Sequence, residues 1–171
     1  MLVLSYKAGP VNIYNLSFLD LNGNTLKMAD YKAKKILVVL FDASSPDLSQ
    51  LQSLDSFYKT CQNTLNVIAI PVTDFSIPLP RLKLKSILND SLKLSYPIAA
   101  LGKAKKINGE NQQPLLKWIT TLNDNTHFDN DINNNGQIFL INEQGNLCGL
   151  FEKNIPYKVI NEIMTKYMIK F

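Results

Sequence analysis

The run Ile36-Leu-Val-Val-Leu-Phe41 constrains this chain more than any other feature. Apolar residues stand at every position, with no polar residue in alternation. Such a strand must be covered on both faces, which predicts a central strand of a sheet flanked by helices. A second run of the same kind, Val67-Ile-Ala-Ile70, ends at Pro71. Between them Leu48, Leu51, Leu54, Phe57, Tyr58 and Cys61 recur every three or four residues, the pattern of an amphipathic helix. Pro46 suits a first helical turn and Ser45 an N-cap, so the helix is expected to open there. Strand, helix and strand at these lengths predict a right-handed crossover with the two strands parallel.

Ile13–Leu21 mixes apolar and polar residues and is followed by Asn22-Gly23-Asn24, then Thr25–Met28. This predicts a β-hairpin with an Asn-Gly turn. Beyond Pro78 and Pro80, residues Leu82, Leu84, Ile87, Leu88 and Leu92 suggest a second helix. Tyr96–Leu101 reads as a short apolar stretch, and Pro114–Leu122 as a third helix with Leu115, Leu116, Ile119 and Leu122 on one face. Gln137–Ile141 and Leu147–Phe151 read as a closing hairpin. Pro156–Phe171 reads as a last helix with Val159, Ile160, Ile163 and Tyr167 inward. The order predicts an α/β fold of thioredoxin-like type: a mixed central sheet, helices on both faces and an extra N-terminal β-hairpin, in one domain over residues 1–171.

Composition narrows the chemistry. Across 171 residues the net charge is +4 and 46% of residues are hydrophobic, too many for a disordered chain. Two cysteines and one histidine, His127, exclude a cysteine-based zinc cluster or a multi-histidine metal site, and no cofactor is expected. Lys32, Lys34 and Lys35, and Lys103, Lys105 and Lys106, read as solvated lysines rather than a nucleic-acid groove. No stretch reaches the ~20 apolar residues of a membrane span. Met1–Lys7 lacks the layout of a signal peptide, which leaves both a cytoplasmic and an extracytoplasmic location open. A partner, whether protein or small molecule, is not identified by any motif. A monomer or small homo-oligomer is expected.

Five collinear stretches resemble the glutathione peroxidase family. Ile13-Tyr14 with Asp20–Gly23 and Ala29–Lys32 is similar to the family's opening segment. Ile36–Phe41 running into Ala43-Ser44 resembles its first core strand and "NVAS". Asn66–Phe75 resembles "VLGFPCNQF". Tyr96-Pro97, Ile107–Gly109 and Gln113–Trp118 resemble "FP…V-G…HPLYKWL". Asn135 with Phe139–Ile141 and Gly145 resembles "WNF-KFLID--G". The resemblance spans roughly residues 12–160 and implies the thioredoxin-like fold and peroxide reduction by a cysteine or selenocysteine after the first core strand.

That chemistry needs a soft chalcogen that ionises near neutral pH and passes through a sulfenic or selenenic acid. Here the loop reads Ala43-Ser44-Ser45-Pro46-Asp47, and the nucleophile's position falls on Ser45 or on Pro46, according to the alignment. The loop is also several residues shorter than in the family. The family's glutamine falls on Asp74, a carboxylate that would disfavour a neighbouring anion. Its tryptophan falls on Asn134, its resolving cysteine on Val72, and its asparagine is retained as Asn135. The expectation is a member of the family, a redoxin of bacterial type linked by ancestry to oxidative stress, whose active site has degenerated into that of a pseudoenzyme. It would act as a binding or structural module. The alternative is an active thiol peroxidase that uses Cys61 or Cys148. Both cysteines read as small buried hydrophobes. A triad of Ser44 or Ser45 with Asp74 and His127, and a calcium loop at Asp124, Asp129 and Asp131, lack the spacing those sites need.

Overall fold

The computed structural model describes residues 9–166. The reading of Met1–Lys7 and the inward face assigned to Tyr167 lie outside them. Strands β1 (Ser17–Leu19) and β2 (Thr25–Lys27) pair antiparallel, with Phe18 opposite Leu26. The turn between them uses Gly23 at φ +92°, where a side chain would be strained. The strand expected from Ile13 is shorter than its sequence pattern. Residues Ile13–Asn15 form a 3₁₀ turn capped by Asn12, whose Oδ1 accepts from the Tyr14 N–H at 2.9 Å. That local side-chain bond competes with a strand ladder.

The main sheet has the order β4-β3-β5-β6. Strand β3 (Lys35–Asp42) pairs parallel with β4 (Leu65–Val72) and antiparallel with β5 (Ile138–Ile141). Strand β6 (Leu147–Phe151) closes the sheet against β5. The alternation of β3 divides the core in two. Ile36, Val38 and Leu40 join Leu115, Leu116 and Ile119 of α3 (Pro114–Thr120) on one face. Leu37, Val39 and Phe41 join Leu51 and Leu54 of α1 (Leu48–Cys61) on the other. Ile160 and Met164 of α5 (Tyr157–Lys166) cover that second face too. The mixed sheet, its covering helices and the additional hairpin follow the expected fold class.

Helix α1 opens two residues later than the Ser45-Pro46 pair suggests. Its N-cap is Asp47, whose Oδ1 accepts from the Gln50 N–H at 3.0 Å and the Ser49 hydroxyl at 2.8 Å. A carboxylate satisfies an orphan N–H and also meets the positive end of the helix dipole, which a serine cannot. These bonds, with the Gln50 N–H foremost, hold the Asp47 carboxyl below its usual range. Asp47→Ala is expected to cost about 1 kcal/mol. Thermal unfolding checks this: the midpoint should fall by about 2–4 °C, and an unchanged midpoint would remove Asp47 as the cap.

Other boundaries also moved. Residues Arg81–Lys85 form the short helix α2, which widens into a π turn over Ser86–Ser91. Leu84 and Leu88 are buried, while Leu82 is 80% exposed and belongs to no apolar face. Helix α3 stops at Thr120. A kink at Thr121 starts α4 (Leu122–Asn125) and turns Leu122 outward. Val159 is exposed on α5 rather than inward. Tyr96–Leu101 makes isolated bridges, Ile98 beside Ala69 and Ala99 beside Asp20, and so ties the hairpin to the sheet. Gly145 approaches Tyr14 so closely that a Cβ would lie 2.8 Å from the ring.

Candidate functional site

In an α/β sheet, the loops beyond the carboxyl ends of the parallel strands gather polar groups. Asp42 is the last residue of β3, and its carboxylate is the hub there. Oδ1 accepts from the Ser44 N–H (2.8 Å), the Ser44 hydroxyl (2.8 Å) and the Ser76 hydroxyl (2.7 Å). Oδ2 accepts from Asn135 Nδ2 at 2.9 Å. Burial alone would raise the Asp42 carboxyl pKa. The Ser44 N–H, the Ser76 and Ser44 hydroxyls and the Asn135 amide together outweigh burial and lower it. A carboxylate so well stabilised is a poor base. It therefore does not activate the Ser44 hydroxyl as a nucleophile. The loop backbone is held as firmly, with Ala43 N–H donating to Val72 O (3.2 Å) and Leu79 N–H to Ala43 O (2.9 Å).

The residues singled out from sequence scatter around this hub. Ser45 is exposed on the loop and Pro46 half-buried beside it. Asn135 joins the hub through Asp42. Asn134 turns away and donates to Glu152 Oε2 at 2.8 Å. Asp74 accepts from the Ala104 N–H and from Asn108 Nδ2, so its carboxylate clamps the 104–108 loop. Val72 is buried in β4 opposite Asp42. Asp42 and Ser76 were not singled out from sequence. An Asx motif, Asp42-Ala43-Ser44, ending an apolar strand was the available signal.

The triad of Ser44 or Ser45, Asp74 and His127 does not assemble. His127 Nδ1 lies 2.8 Å from the Asn125 carbonyl and 2.9 Å from Thr126 Oγ1, and Asp74 is held by the 104–108 loop. Asp129 pairs with Lys106 at 2.9 Å, while Asp131 accepts from the Lys106 N–H. Among the described residues no group of three or more His, Cys, Asp or Glu is placed to hold a metal ion. No described helix is long and apolar enough to cross a membrane.

The thiols lie elsewhere. Cys61 ends α1, a helix of 14 residues, so it stands roughly 20 Å from the helix start. It is half-buried against the apolar cluster on its face, as expected, and burial raises its thiol pKa. Cys148 departs from the expected buried reading: the residue is exposed on the edge strand β6. It neighbours Leu147, which pairs with Ile141, and Ile141 pairs with Ile36 near the start of β3. Its Sγ, unlike the residue as a whole, is half-buried and donates to the Leu140 carbonyl at 3.2 Å. Burial, with Glu143 adding, pushes this thiol up to about 11.

No family profile matches the chain. A probable phospholipid hydroperoxide glutathione peroxidase of Nicotiana sylvestris is 27% identical over 148 residues, covering 84% of this chain and 85% of that protein. A glutathione peroxidase of Lactococcus lactis subsp. cremoris is 25% identical over 111 residues, covering 64% and 69%. The apo form of Trgpx superimposes with a TM-score of 0.66 at 21% identity, over 90% of this chain and 94% of that one. Over most of its length the chain is similar to glutathione peroxidases. Its thioredoxin-like fold is shared more widely. A thioredoxin-family thiol:disulfide interchange protein from Chlorobium tepidum matches with a TM-score of 0.64 at 19% identity, over 92% of this chain and 96% of that one. The chain carries serine, proline and aspartate between β3 and α1, where the resemblance puts the reactive chalcogen.

Proposed function

We propose that this glutathione peroxidase-family protein no longer reduces peroxides and serves as a non-catalytic binding or structural module. One observation carries the reading. The β3–α1 loop, Ala43 to Asp47, offers hydroxyl and carboxylate oxygen but no thiol, and neither cysteine of the chain stands near it. Oxygen has no sulfenic-type state through which to accept an oxygen atom from a hydroperoxide.

Peroxide consumption with glutathione or with a thioredoxin system as reductant tests this. No turnover above the uncatalysed rate is expected, with the same result in Cys61→Ser and Cys148→Ser. Turnover that disappears in either variant would overturn the proposal. A second measurement asks what the loop does to a thiol placed in it. In Ser45→Cys the new thiol lies between Asp42 and Asp47, whose charges oppose ionisation. It should react with hydrogen peroxide at pH 7 no faster than free cysteine. A markedly faster reaction would mean that the loop still favours an anion.

A second reading uses Cys148, which is exposed and shares a cavity wall with His127. Its raised pKa argues against this reading, since about one thiol in ten thousand is ionised at pH 7. The Cys148→Ser variant separates the two.

A further inference from the structure

Two cavities, of about 210 and 350 Å³, lie side by side around the start of α3 and share Val11, Trp118 and Asp124. Neither is lined by Asp42, Ser44, Ser76 or Asn135, so they are separate from the cluster at the end of β3. The walls of the larger cavity are apolar where Val11, Leu16, Pro114 and Trp118 meet it.

Its polar groups are unevenly matched. Of its donors, the Trp118 indole N–H donates to the Val11 carbonyl at 2.7 Å, and Lys117 Nζ donates one of its three N–H groups to Glu110 Oε1 at 2.7 Å. Gln112 is 5% exposed, and its Nε2 donates inward to the Ala104 carbonyl (2.6 Å) and Thr120 Oγ1 (3.0 Å). Those partners fix the amide's orientation, because the Ala104 carbonyl can only accept. The Gln112 Oε1 accepts no hydrogen bond from any described residue. Asp124 is half-buried, lines both cavities and forms no side-chain hydrogen bond or ion pair with any described residue. Burial raises its carboxyl pKa, with Lys117 opposing. The larger cavity thus holds two acceptors without a partner among the described residues, one of them anionic. A ligand that supplies donors to both takes the place of the water such acceptors otherwise need.

We propose that this groove binds an organic cation with an apolar body. Its ammonium or guanidinium donates to the Asp124 carboxylate and the Gln112 carbonyl, and its hydrocarbon part lies against Trp118, Pro114 and Leu16. The shared chemistry fits a free amine or a lysine side chain of a peptide. This site does not depend on the loss of peroxidase chemistry.

Trp118 is the single tryptophan of the chain, so its fluorescence reports on the groove directly. Titration of the intact protein with 2-phenylethylammonium chloride should give a saturable change in emission. The neutral isostere 2-phenylethanol should bind at least tenfold more weakly, and so should the ammonium to Asp124→Asn. Circular dichroism establishes that the variant is folded. N-acetyl-Phe-Lys-amide distinguishes the sources: tighter binding than the free amine assigns the site to a peptide lysine, weaker binding to a small amine. Equal binding of ammonium and alcohol, unchanged affinity in folded Asp124→Asn, or no saturable signal with either cation would overturn the proposal.

Discussion

Truncating Phe139 to alanine is expected to lower the unfolding free energy by about 3–5 kcal/mol, the largest effect of any single substitution considered for this protein. Phe139 is fully buried on β5, the strand between β3 and β6. It lies in the cluster that joins Val38 to Leu116 and Ile119, and it meets the Phe128 ring edge-on with centroids 6.1 Å apart. Close-packed β-sheet neighbours collapse little into a lost ring, so the cavity penalty adds to the lost transfer energy. Phe139→Leu keeps most of the volume and should cost less than about 1.5 kcal/mol. Urea denaturation measures both. The alanine variant should lower the midpoint sharply while the slope stays constant. A loss below about 1 kcal/mol in the alanine variant would mean that the two sheet faces are not packed as described.

The second large effect lies at the end of β3. Asp42→Ala removes the acceptor of Ser44, Ser76 and Asn135 together and should cost about 2–3 kcal/mol, less than four buried charge-assisted bonds would because the group is half-buried. Asp42→Asn tests the charge itself. The folded-state carboxyl pKa is lowered, so its stabilisation is present above the unfolded value of about 3.9 and is lost as pH falls through the folded value. The stability difference between the native protein and Asp42→Asn should therefore be constant from neutral pH down to about pH 5 and shrink below pH 4. A difference independent of pH would show that the hub holds by shape alone.

Much of the fold was legible because its signals are local. The apolar runs at 36–41 and 67–70 and the helical period between them announce β3, α1 and β4 through the chain's own periodicity. The family resemblance was legible for a related reason: five short stretches keep their order. Boundaries were less legible. Both Ser45 and Asp47 are competent caps, and the loop, pinned by Ala43 to Val72 and Leu79, puts the helix start at the carboxylate. The exposure of Cys148 was hidden because Leu147 and Leu150 flank it. Its position on the edge strand β6 leaves the residue exposed, although its Sγ reaches back to the Leu140 carbonyl.

The candidate site was legible as a set of positions and not as an arrangement. Asp74 and Asn135 both stood out in sequence, yet Asp74 serves the 104–108 loop and Asn135 serves Asp42. Residue order alone established a βαβ core, a closing hairpin, and a loop after the first core strand that contains no sulfur. The tertiary structure alone decided that Asp42 meets Ser76, 34 residues on, and Asn135, 93 residues on. Side-chain periodicity is written into neighbouring residues. A hydrogen bond between distant ones exists only after strands β3, β4 and β5 have paired and brought their ends together.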